Sequence, residues 1–237
     1  MPLRRLSLAD LDLDEAANHL SVSGQPELAD DIPHVLRAWR LYDGEHPTVA
    51  GILLFGRRPQ EALPQARIVA VSFPGVDSSE DPSDQMELTG RLFDVIDKAN
   101  SFLNLHLRAP HRIRGFEPER YPELPEAACR EAVVNALVHR DYTIAAPVRI
   151  FVLADRVEFH TPGKPPNTVD VDAMRSGIHV VRNPHLYTRV ARAGLATDAG
   201  TGIPRISRLV REATGQDIGL EIRGDHEVLL TMPRRGS

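Results

Sequence analysis

The stretch from Arg130 to Tyr142, with the sequence Arg-Glu-Ala-Val-Val-Asn-Ala-Leu-Val-His-Arg-Asp-Tyr, constrains the fold of this chain most strongly. Its apolar members recur at the spacing that places them on one side of a helix, namely Val133, Val134, Leu137 and Val138. Glu131, Asn135 and His139 recur every four residues, so they form a second ridge beside the apolar side. A carboxylate, an amide and an imidazole beside a buried surface are costly without partners. The spacing alone leaves two interpretations open, a solvated polar stripe with a capped end or a ridge that binds a ligand.

The overall charge of the chain limits the partners that it can bind. The 237 residues are 42% hydrophobic and 26% charged, which is typical of a globular protein with a buried core. Affinity for nucleic acid comes mostly from phosphate neutralisation by Lys and Arg, and this chain has a formal net charge of −5. We therefore do not expect a general polyanion-binding protein, although a local basic patch is compatible with this total.

Three further features indicate a cytoplasmic protein. Cys129 is the single cysteine, so no intrachain disulfide can form, which is typical of a reducing compartment. No apolar run is long enough to cross a bilayer. Arg4 and Arg5 are not followed by the apolar region of a signal peptide. We expect no membrane partner.

The remaining hydrophobic patterns predict a two-layer α/β sandwich, with a mixed or antiparallel sheet and helices on one face. Residues 1–45 are acidic and predict a small helical adaptor. Leu88–Leu107 is the clearest helix, since its apolar residues recur at helical spacing. Further helices are predicted at Leu186–Ala193 and Ile203–Ala213. Alternating apolar residues and turn signals predict strands at Arg67–Phe73, Pro147–Leu153, Arg156–Thr161, Ile218–Ile222 and Val228–Met232.

Several segments, in a fixed order, carry a resemblance to a known family. Glu131-x-x-x-Asn135-Ala136-x-x-His139 resembles the N-box of the Bergerat-fold (GHKL) ATPases. The segment from Asp155 to Pro165 resembles the first glycine box. Arg182-Asn183-Pro184, followed by Gly200 to Ile206, resembles the second. Together with Pro47–Gly56, these segments are similar to a divergent branch of helicase-named proteins related to RecG, which usually carry an AlbA-like (Schlafen-type) DNA-binding domain ahead of them.

The resemblance implies a domain organisation and a set of partners. Residues 1–85 are predicted to form the helical and α/β adaptor, and residues 86–237 a Bergerat-like ATP-binding domain. The implied cofactors are ATP and Mg²⁺, and a homodimer is one assembly that such domains form. No AlbA-like domain fits in these residues, so nucleic acid is expected to bind only through an additional domain of that kind.

The resemblance also implies roles for individual residues. Asn135 matches the residue whose amide oxygen binds Mg²⁺, and Glu131 matches the catalytic base. The implied nucleotide-binding residues are Asn135, His139, Thr161, Gly163, Arg182, Gly200, Thr201 and Gly202. Glycines before a helix suit close approach of phosphate to the backbone. A structural role stays open for three residues, with His139 as a helix cap and Arg140 with Asp141 as a local ion pair.

Two departures limit what the resemblance implies. In the wider superfamily an Asp in the first glycine box accepts a hydrogen bond from the adenine amino group, and here Thr161 occupies that place. The chain also has no Gly-x-x-x-x-Gly-Lys-[Ser/Thr] loop, so no helicase motor of the usual kind is expected. We therefore expect an ATP-binding, slowly hydrolysing switch module of a DNA-associated regulatory protein.

Two other functions are compatible with the sequence. One is a degenerate, non-catalytic dimerisation or effector domain of a transcriptional regulator. The other is direct nucleic-acid processing by a basic loop at Arg108–Arg114 with His139 and Asp141, which the negative net charge makes the weaker interpretation.

Overall fold

The computed structural model of the chain describes residues 1–107, 111–114, 117–120, 123–166, 169–178, 180–196 and 201–235, with only the backbone of 111–114 and 117–120. The helices are α1 (Leu13–Val22), α2 (Ile32–Ala38), α3 (Val49–Phe55), α4 (Pro59–Ala62), α5 (Leu92–His106), α6 (Glu126–His139), α7 (Val171–Arg175), α8 (Pro184–Arg192) and α9 (Gly202–Thr214). The strands are β1 (Ile68–Ser72), β2 (Asp84–Leu88), β3 (His111–Arg114), β4 (Glu117–Arg120), β5 (Val148–Val152), β6 (Arg156–Pro162), β7 (Gly219–Arg223) and β8 (Glu227–Pro233).

Six strands form one mixed sheet in the order β2-β1-β5-β6-β8-β7. The β1–β5 pair is parallel, and the other neighbouring pairs in this sheet are antiparallel. Because successive side chains on a strand point to opposite faces, the buried Val157 and Phe159 share one face of β6 with Thr161, and Glu158 and His160 lie on the other. The strands predicted at Pro147–Leu153 and Arg156–Thr161 are confirmed as β5 and β6, which pair in antiparallel fashion.

A layer of helices covers the first of these faces. The helix α6 packs against α5, α9 and β6, while α5 also contacts β1 and α9 contacts β8. The two-layer α/β architecture predicted from the sequence is therefore confirmed. Nearly every side of α6 is buried, including Cys129 at 3% exposure and Glu131 at 5%. A buried carboxylate on this central helix is costly unless it has hydrogen-bond partners, a cation or a ligand nearby.

The long helix predicted at Leu88–Leu107 is confirmed as α5, which lies beside α6 with its apolar side buried. It begins at Leu92 rather than at Leu88, because Gly90 adopts a positive φ of 127° and Leu88 ends β2. The strand β2 was not predicted. Three of its five residues are exposed, so it lacks the alternation that identifies a half-buried strand.

The first 62 residues form short helices that pack on the same hydrophobic core as the sheet. The predicted boundary between residues 85 and 86 falls inside β2, and β1 and β2 belong to the same sheet as β5 to β8. The division into two domains remains a prediction, and sheet membership favours a boundary before β1. In the described part of the chain, no helix combines the length and apolar character needed to span a membrane.

Candidate functional site

A cleft lies between α6, the start of α9, the strands β6 and β8, and the segment around α7, with a cavity volume of about 110 Å³. The ridge predicted on α6 forms one wall, since Glu131, Asn135 and His139 all line the cleft. Thr161 and Gly163 from the first glycine box and Gly202 from the second line it as well. The structure therefore brings together residues from all three motifs, which are far apart in the sequence.

Gly202 lies directly against the acid and the amide of the ridge. A Cβ atom at this position would be 3.0 Å from Glu131 Oε1 and 3.1 Å from Asn135 Nδ2. A larger residue would displace these two side chains, so the close approach of α9 to α6 depends on glycine. The backbone at the start of α9 consequently meets the carboxylate and the amide at one end of the cleft, where the helix N-terminus favours an anion.

Arg205 is a residue at this end of the cleft that the sequence interpretation missed. Its Nη1 atom lies 3.6 Å from Glu131 Oε2, and its side chain is partly exposed. Arg205 follows Gly202 by three residues, so the first turn of α9 brings a cation to the carboxylate. The spacing Gly-x-x-Arg was visible in the sequence, but nothing in the sequence indicated that Arg205 would face Glu131.

The cleft lining around Thr161 is apolar. The side chains that line it come from β6, β7, β8, α7 and the residues after it, and they include Phe159, Met174, Ile178, Leu220, Val228 and Leu230. Among the described lining residues, Glu131 is the only carboxylate, and it lies beside Gly202 at the start of α9. The hydroxyl of Thr161 can donate and accept a hydrogen bond, whereas a carboxylate can only accept. This part of the lining is suited to a flat apolar group.

Gly163 and Asp141 connect the first glycine box to the end of α6. Gly163 has a φ of 106°, and a Cβ there would be 2.7 Å from the Cβ of Asp141. The backbone N–H of Asp141 donates to the carbonyl of Pro162 at 2.8 Å. Only glycine suits both this conformation and this proximity. The position of Gly163 is thus explained by packing as well as by its place in the cleft.

Arg182 also connects the end of α6 with the segment that follows β6. Its guanidinium donates to Asp141 Oδ2 at 2.8 Å and to the carbonyl of Lys164. Burial alone would raise the pKa of Asp141, but hydrogen bonds from Thr143 and the charges of Arg182 and Arg140 lower it below its ordinary value. Arg182 therefore joins the segment after α7 to the first glycine box and the end of α6.

The sequence left open a local ion pair between Arg140 and Asp141, and in the structure the hydrogen bonds of the two side chains go to other partners. The fully buried guanidinium of Arg140 donates instead to the carbonyls of Gln65, Ile144 and Ala146, at 2.6, 3.2 and 2.7 Å. Asp141 pairs with Arg182. A guanidinium has five donors and can bond several carbonyls at once. Arg140 therefore has a structural role, because it joins the end of α6 to the segments that precede β1 and β5.

Asn183 caps the end of α6. Its Nδ2 donates to the carbonyls of Val138 and Arg140 at 2.8 and 2.9 Å. These carbonyls have no partner within the helix. His139, which was considered as a cap, lies with its ring centroid 6.3 Å from that of Tyr187, a residue that also lines the cleft.

Two of the predictions fall partly or wholly on residues outside the described part of the chain. Gly200 is one of them, while its neighbour Thr201 is described and precedes α9 as an exposed residue. The basic loop from Arg108 to Arg114 is the other, because no side chain of that loop is described.

The donor set is compatible with Mg²⁺ held together with a nucleotide. Mg²⁺ in nucleotide sites keeps several waters and takes only one or two protein oxygens, with the rest from phosphates. The Oδ1 of Asn135 lies 3.4 Å from the Cβ position of Gly202, so a hard oxygen is present beside the start of α9. Among the described residues no group of three or more His, Cys, Asp or Glu could hold a metal by itself. A metal here would therefore depend on a ligand's oxygens.

Comparisons with known proteins support the fold and part of the resemblance. A solved structure, the DIP2311 protein from Corynebacterium diphtheriae, superimposes with a TM-score of 0.76 and 20% identity over 99% of this chain. That likeness shows the fold alone, and this chain spans 48% of that protein's chain. No match was found among the curated proteins.

A family model matches the C-terminal part of the chain. It is described as "Putative ATP-dependent DNA helicase recG C-terminal" and covers residues 145–232, which run from just before β5 to the last but one residue of β8 and include both segments that resemble glycine boxes. The N-box ridge of α6 precedes the matched segment. The resemblance to the RecG-related, ATPase-like domains is thus confirmed by the match over residues 145–232.

Proposed function

We propose that the chain binds ATP with Mg²⁺ in the cleft between α6 and α9 and acts as a nucleotide-dependent switch of a DNA-associated regulatory protein. The observation that carries this proposal is the contact of Gly202 with both Glu131 and Asn135, because it places a helix N-terminus beside an acid and an amide. The apolar lining around Thr161 is suited to the base. The ATPase-like family match over the two glycine boxes supports the same interpretation.

Each residue of the cleft has a role in this proposal. The amide oxygen of Asn135 would hold Mg²⁺, which when bound supplies charge neutralisation at the phosphates. Glu131 would orient and deprotonate the attacking water. The backbone N–H groups of Gly200, Thr201 and Gly202 would donate to phosphate oxygens. His139 and Thr161 would contact the sugar and base side, and Arg182 would hold the rim through Asp141.

The size of the cavity implies that binding needs a rearrangement. Its volume of about 110 Å³ is below the ~300–1,000 Å³ of typical ligand pockets. The short helix α7 borders the cleft, and Arg175 at its end donates to the carbonyl of Ile218 at 2.9 Å. We propose that α7 moves outward when a nucleotide enters, which would make it the switching element.

Calorimetric titration with ATP and Mg²⁺ tests binding directly. Wild-type chain should give saturable heats, and Asn135→Ala should abolish them. Asn104→Ala is the matched control, because Asn104 is an exposed residue of α5, away from the cleft. The proposal fails if wild type gives no binding heat, or if both alanine variants bind like wild type.

Hydrolysis is tested separately by phosphate release. Glu131→Gln should bind ATP but lose release of phosphate, by at least ~100-fold if the carboxylate is the base. Glu126→Gln, on the exposed side of the same helix, should retain the wild-type rate. Equal rates in wild type and Glu131→Gln would remove the catalytic role from Glu131.

A second candidate function is a non-catalytic dimerisation or effector domain. Thr161, in place of an acceptor carboxylate within the apolar lining, favours it, because adenine would lose a charged hydrogen-bond partner. On this alternative the chain would sediment as a dimer with and without ATP and release no phosphate. A dimer that forms only with ATP would instead favour the switch.

A further inference from the structure

Arg205 differs from Arg208, one turn later on α9, in the kind of carboxylate that it meets. Its Nη1 lies 3.6 Å from Oε2 of Glu131, whose side chain is only 5% exposed. Arg208 is 61% exposed and pairs with Glu212, which is 60% exposed. An ion pair between two exposed groups contributes little to stability. A buried carboxylate, in contrast, is costly without a nearby cation, so the Arg205–Glu131 pair requires a specific explanation.

The start of α9 fixes the backbone of Arg205. Its N–H donates to the carbonyl of Thr201 at 2.8 Å, so Arg205 lies in the first turn of the helix. The next residue, Ile206, is fully buried and holds this turn in the hydrophobic core. The helix α9 packs against α6, which carries Glu131. The guanidinium therefore reaches the carboxylate from a backbone that is held on both sides.

Both oxygens of the Glu131 carboxylate face α9. Oε1 lies 3.0 Å from the position that a Cβ atom of Gly202 would occupy, and Oε2 faces Arg205. The N-terminus of a helix carries a partial positive charge, so a single element places positive charge beside each oxygen. A carboxylate that is attracted at both oxygens loses rotational freedom. The helix α9 thus restricts the orientation of Glu131 as well as stabilising its charge.

The separation of 3.6 Å between Arg205 and Glu131 is longer than a hydrogen bond. A guanidinium that donated directly to Oε2 would occupy a lone pair of that oxygen. At 3.6 Å the positive charge still attracts the carboxylate, because Coulomb attraction falls slowly with distance. Arg205 itself leaves the Oε2 lone pairs unused, which suits a carboxylate that accepts a proton.

From this geometry we infer that Arg205 is a positioning residue for ATP hydrolysis, which holds the Glu131 carboxylate in the orientation needed to accept a proton from the attacking water. The inference rests on the proposed function, in which Glu131 is the base. In hydrolysis the water oxygen would bond to the γ-phosphorus, the bond from that phosphorus to the oxygen of the departing ADP would break, and the water proton would pass to Glu131. Arg205 is not among the described residues that line the cleft, so it acts through Glu131.

Phosphate release and calorimetric titration with ATP and Mg²⁺ separate positioning from binding. Arg205→Gln should lower turnover by about tenfold or more, because misplacing a catalytic group by 1 Å can cost ~100-fold. Its Kd for ATP should stay within about twofold of wild type, since only the reacting state needs the orientation. Arg205→Lys should regain most of the wild-type turnover, because a charge and not a hydrogen bond acts at 3.6 Å. Arg208→Gln is the matched control on the same helix and should keep both the turnover and the Kd.

Urea unfolding of the nucleotide-free chain tests the ion pair without any reaction. Arg205→Gln should lower the midpoint of unfolding, because it removes a cation from beside a buried carboxylate. In a Glu131→Gln background the same change should have little effect, so the two shifts should not add. Equal shifts in both backgrounds would show that Arg205 does not act on Glu131 and would overturn the inference.

The kinetic results overturn the inference if Arg205→Gln turns over like wild type, or if Arg205→Lys is as slow as Arg205→Gln. A Kd for ATP that rises as much as turnover falls would make Arg205 a binding residue instead. Wild-type chain that binds ATP and releases no phosphate would leave the pair with a structural role alone. The absence of binding heat in wild type would remove the proposed function itself, whereas unchanged turnover in Arg205→Gln would remove only the positioning role.

Discussion

At the scale of single residues, Gly202 controls the approach of α9 to the acid–amide ridge. Its φ is not positive, so alanine is compatible with the backbone, and we expect Gly202→Ala to fold. The added methyl group would lie 3.0 Å from Glu131 Oε1 and would displace the carboxylate and the amide of Asn135. ATP affinity should fall by about tenfold or more, because a hydrogen bond to a charged group contributes ~1.5–3 kcal/mol. Calorimetry measures the affinity, and unchanged affinity in a folded variant would contradict the prediction.

Asn183 offers a second test at this scale, on stability. Its side chain donates to two carbonyls at the end of α6, so Asn183→Asp, which has the same shape but no donor, should destabilise the fold by about 1–3 kcal/mol. The aspartate would also place a negative charge at the negative end of the helix dipole. Asn183→Ala should lower the free energy of unfolding by less than Asn183→Asp does.

Urea unfolding at neutral pH measures both Asn183 variants against Asn104→Asp. Asn104 is an exposed residue in the last turn of α5, so its change to aspartate also adds a negative charge near a helix C-terminus. It removes no hydrogen bond to the carbonyls at the end of α6, and we expect it to destabilise the fold less than Asn183→Asp does. If Asn183→Asp unfolds at the wild-type urea concentration, the cap does not contribute to stability.

At the residue scale, the sequence predicted which side chains lie together where a motif fixes the local geometry, and the roles of these residues remain predictions. The four-residue spacing on α6 placed Glu131, Asn135 and His139 on one wall, and the structure brings Gly202 to them. Arg205 could not be found in this way, because its contact with Glu131 depends on how two helices pack. The same holds for Arg189 on Trp39, whose partners are 150 residues apart in the chain.

At the scale of elements, a charged cluster joins β5, β6 and β8 on the face of the sheet opposite the cleft. His160 contacts Glu227 through Nδ1 and Glu158 through Nε2, each at 3.0 Å. Arg149 pairs with Glu227, and Arg156 pairs with Glu158. Both carboxylates are mostly buried, so these pairs should matter more than exposed ion pairs do.

The cluster predicts acid sensitivity. Burial alone would raise the pKa of Glu227, but hydrogen bonds from His160 and Arg149 lower it below its ordinary value. The pKa of Glu158 is lowered in the same way, by hydrogen bonds from Arg156 and His160. A lowered carboxyl pKa gives stability that is present above the ordinary pKa and lost as pH falls through the lowered value. Glu227→Gln should therefore cost about 1–3 kcal/mol at pH 7, with a difference from wild type that shrinks below about pH 4.

Urea unfolding of wild type and Glu227→Gln at several pH values measures this difference, with the exposed Glu27→Gln as control. A difference that stays constant from neutral to acidic pH would show that the glutamine acts through packing rather than through charge.

Elements with a strong period were predictable, and those without one were not. The apolar spacing of α5 and α6 and the alternation of β5 and β6 gave their type and approximate bounds. The strand β2 and the short helix α7 were missed, since an exposed edge strand and a five-residue helix carry little periodic signal. Their structure depends on the neighbours against which they pack.

At the scale of the whole molecule, the parallel pairing of β1 with β5 bears on where the chain can be divided into domains. The strands are 80 residues apart in register, with Ile68 opposite Val148, and a sequence pattern cannot specify such a pairing. Arg140 and Gln65 reinforce it, because Arg140 donates to the Gln65 carbonyl and the Gln65 amide to that of Tyr142. The residues before β2 are therefore bonded to the N-box region.

This pairing predicts how fragments of the chain behave. A fragment of residues 86–237 would lack β1, exposing the edge of β5 and the side of α5 that contacts β1. We expect it to be unfolded or aggregated, since an uncovered apolar strand edge associates readily. A fragment of residues 64–237 keeps all six strands of the large sheet and should retain more structure, although it loses core residues such as Leu36 and Ile52.

Circular dichroism and amide NMR dispersion compare the two fragments with the full chain, for which we expect one cooperative unfolding transition. A well-dispersed spectrum from residues 86–237 would instead support the domain boundary at residue 85.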